Sequence, residues 1–198
     1  MTRRYLETMF SPAVLTVQAA EGAPGFDGRG VAGSGDVLGE AEVAFLTARD
    51  SFYMATNGAD GWPYLQHRGG PRGFLRVLDE RTIAFAEFVG NRQYISQGNL
   101  TSDDRVSLFF MDFERRARLK VLGRVSRCLF ADNPGLSEAV ALTGYRARAD
   151  RALVVRIEAY DWNCPSHIPE LYSREALVPL VEEVERLRRI VAEAGLDG

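Results

Sequence analysis

Lysine is nearly missing from this 198-residue chain: of its 24 basic side chains only Lys120 is a lysine, and the rest are arginine. A Schiff-base or Walker-type lysine would have to be Lys120, yet no GxxxxGK[ST] surrounds it. Histidine and cysteine are equally scarce. His67 and His167 are too few for a three-histidine zinc site, and Cys128 and Cys164 lie far apart, so neither structural zinc nor a disulfide framework is expected. Long apolar runs are absent too. The first twenty residues carry Arg3, Arg4 and Glu7 without a continuous hydrophobic stretch, and the expectation is a cytoplasmic protein with no membrane partner. With 27 acidic side chains the net charge is −3, which offers no overall cationic field for nucleic acid. Hydrophobic residues make up 46%, enough for one ordinary domain with appendages.

Three regions follow. Residues 1–39 read as an N-terminal segment at about 2–20 and a glycine-rich connection, residues 40–170 as the compact domain, and residues 171–198 as a C-terminal helix. In the domain, EAEVAFLTARD has near-helical apolar spacing. SFYMATN, WPYLQHR, GFLRVLD, TIAFAEF, RVSLFFM, ARLKVLGRVSRCLF and ALVVRIEAYDW read as a strand series. Leu153, Val155 and Ile157 alternate with Val154, Arg156 and Glu158, the mark of a half-buried strand. Short helices are expected over NRQYISQGNL, with Asn91 as its cap, and around 134–142. Six or so such strands predict a mainly β fold, an antiparallel barrel with peripheral helices. In the last segment Leu177, Leu180, Val184, Leu187 and Val191 recur at spacings of three and four, giving an amphipathic helix that packs on its own barrel or on a second subunit. Pro179 requires the regular helix to begin near it.

Two motifs carry nothing. Gly28–Gly33 fits GxGxxG but has no strand before it and no clear helix after it, and Arg68-Gly69-Gly70 is a single RGG unit in an acidic protein. More telling are polar residues where a barrel strand should be apolar. Gln66, His67 and Arg68 stand in succession before two glycines that would let an anion approach the main chain. Taken alone, the run also reads as an internal arginine–aspartate pair. Gly90-Asn91-Arg92-Gln93 opens an expected helix, where free N–H groups favour a phosphate, though a capped surface helix reads the same way. Alternation sends Arg116, Arg118 and Lys120 to one strand face, an arrangement that is usually only solvated. Together the clusters suggest a small anionic ligand with one phosphate and a planar ring, walled by Phe85 and Phe109.

The stretch from FYMATNGADGWPYLQHRGGP through GNRQYIS and RVSLFFMDFERRARLKVLG to EAYDWNCPSHI, roughly residues 45–168, resembles the pyridoxamine 5′-phosphate oxidase-like, FMN-binding split-barrel family. The resemblance implies an antiparallel split β-barrel with FMN as cofactor. It places Gln66, His67, Arg68 and Gly69 beside the flavin, Phe85 and Ala86 on the next strand, and Arg92 on the phosphate. Gln93 stands where oxidases proper usually have a phosphate-holding lysine, and Arg68 is available to compensate. Arg118 matches a residue that reaches the cofactor from the other subunit, and Trp162 matches an aromatic near the ring. The C-terminal Arg-x-His-Asp-Arg signature of true oxidases is missing. WNCPSHIPELYS occupies that region, so Asn163, Cys164 and His167 either shape a pocket for a different small-molecule substrate or only close the barrel.

What the resemblance implies is a homodimeric FMN-dependent oxidoreductase that transfers hydride through flavin N5, its substrate unassigned. Two other readings stay open: an F420-dependent reductase on the same barrel, and a flavin- or haem-binding sensor without turnover.

Overall fold

Period-two alternation through the middle of the chain folds as one antiparallel sheet of seven strands. In the computed structural model, residues 2–23, 36–162 and 166–195 are described. The GxGxxG stretch, Asn163 and Cys164 lie outside them. The elements in order are α1 (Arg3–Met9), α2 (Pro12–Ala20), α3 (Glu40–Thr47), β1 (Ser51–Asn57), β2 (Pro63–Gly69), β3 (Leu75–Asp79), β4 (Thr82–Phe88), α4 (Ile95–Asn99), β5 (Arg105–Asp112), β6 (Ala117–Leu129), α5 (Pro134–Ala139), β7 (Ala149–Trp162) and α6 (Arg174–Glu193).

The strand order β2-β1-β5-β6-β7-β4-β3 leaves β2 and β3 as edges that do not pair with each other. The sheet nevertheless curls. Phe52 of β1 meets Phe85 of β4 edge to face, with centroids 5.1 Å apart, although three strands separate β1 from β4 in the sheet. Phe110 and Phe74 close on the same Phe52 ring at 4.9 and 5.8 Å, and all four phenylalanines are buried. This is an antiparallel split β-barrel, held across its interior by aromatic packing and open along one side. In β7, Leu153, Val155 and Ile157 are buried while Arg156 is exposed, as the alternation requires.

Several local readings change. Helix α4 begins at Ile95, because Arg92 and Tyr94 take left-handed backbone angles (φ 60° and 53°) that no helix accommodates. Asn91 therefore caps a turn, its side-chain oxygen accepting from the Gln93 N–H at 3.2 Å. Helix α5 stops at Ala139. Helix α6 starts at Arg174, five residues before Pro179, with the Ser173 hydroxyl capping the Ala176 N–H.

Ordered contacts reach past residue 40 toward the N-terminus. Leu38 is in the core, and Asp36 pairs with Arg81 at 2.6 Å. Helix α1 docks on β7 through buried Tyr5 and Leu6, while the Thr2 N–H donates to the fully buried Asp161 at 2.9 Å. Lys120 completes that corner, 3.4 Å from Asp161 and 4.5 Å from the centre of the Tyr5 ring. No helix among the described residues is long and apolar enough to cross a membrane.

The β6–β7 pairing carries a bulge at Leu122/Gly123, and a Cβ at Gly123 would stand 2.6 Å from the Arg156 carbonyl oxygen. Gly123→Ala is expected to destabilise the fold by about 1–3 kcal/mol, read as a lower urea midpoint with an unchanged slope.

Candidate functional site

Alternation along β2 decides which polar side chains meet. Tyr64, Gln66 and Arg68 turn to the half-buried face, whereas Leu65 and His67 turn outward. Glu87, an acid inside the otherwise apolar strand TIAFAEF, arrives from β4. These residues, the turn 90–94, the start of α4 and Arg151 of β7 surround a cleft of about 270 Å³. It lies along the open side of the barrel, between strands that share no ladder.

The Arg68–Glu87 pair crosses this gap. Arg68 Nη1 is 3.3 Å from Glu87 Oε1, and the Gln97 amide donates to Glu87 Oε2 at 2.8 Å. Glu87 is buried and Arg68 half-buried, with 13% of its side chain exposed. Burial pulls the Arg68 guanidinium below its ordinary value, with the Glu87 charge and hydrogen bond opposing that shift. Its Nε is buried with no hydrogen-bond partner. Gln66 accepts from the Ser96 hydroxyl at 2.9 Å, which orients the side-chain amide. On the outer rim Arg151 grips Asp150 through two bonds of 2.7 and 2.9 Å; that hydrogen bonding raises the arginine and lowers the acid. Arg92 is exposed and has no acidic partner among the described residues. Three guanidinium groups thus face two carboxylates, leaving an excess of one positive charge.

Of the residues singled out from sequence, Gln66, Arg68, Gly90, Asn91, Arg92 and Gln93 share this cleft. The other described ones lie elsewhere. His67 is exposed on the opposite face of β2, edge-on to Tyr53 at 5.7 Å. Phe85 is in the aromatic core, and Phe109 lies on the strand face opposite buried Phe110. Ala86 lines a separate apolar hollow with Phe88, Phe130 and Tyr145. Gly69 packs near the Asp50 carbonyl, and Gly70 is required by the Phe74 side chain, whose Cβ and ring Cγ a Cβ there would meet at 2.8 and 2.9 Å. Those glycines therefore serve chain packing where sequence reasoning expected access for an anion. Arg118 sits on β6 opposite Met111, outside the cleft, its Nε also buried without a partner. Trp162 donates to Glu42 at 2.6 Å and packs edge-on against Phe45 at 4.8 Å. His167 is exposed beyond β7 with φ 62°.

Glu87, Ser96, Gln97 and Arg151 were not anticipated. The lone acid in TIAFAEF is a signal that sequence reading could have used, since a buried carboxylate demands a partner. Arg151 offers no comparable signal, because only the β4–β7 register brings it to the cleft.

A family model described as pyridoxamine 5′-phosphate oxidase matches residues 38–160. Among solved structures, a putative pyridoxamine 5′-phosphate oxidase from Lactobacillus delbrueckii is 23% identical, covering 64% of this chain and 94% of its own, with a TM-score of 0.48. HupZ from Group A Streptococcus is 14% identical, covering 68% of this chain and 100% of its own, with a TM-score of 0.48. An F420 reductase is 21% identical, covering 63% of this chain and 98% of its own, with a TM-score of 0.44. No curated protein sequence matches the chain.

Glu87→Gln removes the counter-charge of a half-buried arginine and is expected to cost up to about 3 kcal/mol in urea unfolding. Added inorganic phosphate should raise the midpoint of this variant more than that of the parent chain, because the anion takes over the pairing of Arg68.

Proposed function

Because the chain belongs to the pyridoxamine 5′-phosphate oxidase family, we propose that it is an FMN-dependent oxidoreductase working in the cytoplasm as a homodimer on a small-molecule substrate. One observation carries this reading: Arg68, Arg92 and Arg151 converge on a single cleft in which the Arg68 Nε is buried and unsatisfied. Such a donor set fits a phosphate ester.

Bound flavin would supply hydride acceptance and the return of electrons to dioxygen or another acceptor. The residues of the chain hold and orient it. Arg92, which has no acidic partner among the described residues, would neutralise the phosphate, and Arg151 would add a second guanidinium at the rim. Glu87 and Gln97 keep Arg68 in one rotamer, so that its remaining donors face the ligand without reorganisation. With its oxygen occupied by Ser96, Gln66 presents N–H donors to an electron-rich ring edge. Neither histidine lines the cleft of its own chain. The missing vitamer-phosphate signature argues against pyridoxamine phosphate as substrate. Arg118 lies outside the cleft of its own chain, and the family resemblance assigns it to the cofactor of the second copy in the homodimer.

Heat release of the ligand from purified protein, followed by its absorption spectrum and mass, tests the cofactor. FMN is the expected result; a deazaflavin, or a colourless chain that stays empty in excess FMN, overturns it. Arg92→Ala should weaken FMN binding about tenfold to a hundredfold by loss of one charge-assisted contact, with folding unchanged, as measured by fluorescence titration.

A further inference from the structure

Helix α6 is twenty residues long, and none of them is buried. Leu177, Leu180, Val184, Leu187 and Val191, which form one stripe, are 40, 61, 40, 47 and 39% exposed. The stripe therefore does not pack on its own barrel. Spacings of three, four, three and four fix a heptad in which Leu177, Val184 and Val191 occupy the a positions and Leu180 and Leu187 the d positions. Two of the three a residues are β-branched and both d residues are leucine, the combination that selects two parallel strands. Pro179 falls at c, facing away from the seam.

The flanks agree with this geometry. Glu183 occupies a g position and Arg188 the following e position, so a parallel in-register pair sets each Glu183 against the Arg188 of the other copy, twice over. An antiparallel pair sets Glu183 against Ile190 and Arg188 against Val181, with no opposite charges in register. The root of the helix is anchored, since the Ser173 N–H donates to Glu114 in the β5–β6 hairpin at 3.1 Å.

We propose that α6 pairs with α6 of a second copy as a short parallel two-stranded coiled coil. The seam spans only about two and a half heptads, so tethering to the folded bodies, which raises the local concentration of the partner helix, contributes to its stability. This pairing does not depend on the arginine cleft and stands or falls separately from the flavin reading.

The test is disulfide trapping in the full chain with Cys128 and Cys164 replaced by serine. Leu180→Cys alone should form a cross-linked dimer in most chains under mild oxidation, while Glu182→Cys, on the outer face, should not. In an antiparallel pair the two 180 positions would lie roughly 16 Å apart. Cross-linking only in a mixture of Leu180→Cys with Val191→Cys would therefore overturn the parallel assignment. Absence of cross-links in a folded chain, or equal trapping at 180 and 182, would overturn the pairing itself. If light scattering still reports a dimer in that case, the barrels associate without α6. Glu183→Arg should reduce trapping at 180 severalfold, and Glu183→Arg combined with Arg188→Glu should restore it; failure of the restoration overturns the register.

Discussion

Arg68 and Glu87 belong to strands that share no backbone hydrogen bond, and their ion pair bridges the side on which the barrel fails to close. A closed barrel would satisfy that edge with a ladder. Here the backbone stays open and side chains span the gap, which creates a cleft between β2 and β4. Behind it, the four-phenylalanine cluster around Phe52 holds the curl of the sheet. The aromatic core fixes how far apart the two walls stand, and the ion pair fixes what the cleft presents.

A buried arginine costs several kcal/mol in lost hydration, and a single carboxylate does not use all five of its donors. Glu87 engages one end of the Arg68 guanidinium while Nε remains unsatisfied. The pair therefore holds the cation in place and still leaves capacity for an anion. Arg92 sits on a turn with two left-handed residues, a backbone arrangement that costs about 1–2 kcal/mol per residue. Strain of this size lies beside the arginine-lined cleft.

The two ends of the chain behave differently although both are helical. Helix α1 buries Tyr5 and Leu6 and is pinned by the Thr2–Asp161 contact, so it belongs to the barrel. Among the described residues none covers helix α6, and its hydrophobic stripe stays exposed.

Apolar runs, alternation and turn residues marked the strand segments, and spacings of three and four marked the amphipathic tail, although six or so strands were expected where seven form. The resemblance of GNRQYIS and WPYLQHRGGP to a flavin-binding family located Gln66, Arg68, Arg92 and Gln93, which do converge. The start of α4 was not legible, since nothing local distinguishes a capped helix at Asn91 from a turn with Arg92 and Tyr94 in the left-handed region. Nor was the separation of His67 from Arg68. Adjacent residues on a strand point to opposite faces, and which face is the cleft is set by how the sheet curls. Glu87, Gln97 and Arg151 reach the site only through strand order and register, which are long-range properties. Local residue pattern thus determined the elements and the cationic side chains of the cleft, whereas tertiary packing alone decided which charges meet, because that depends on contacts between strands distant in the chain.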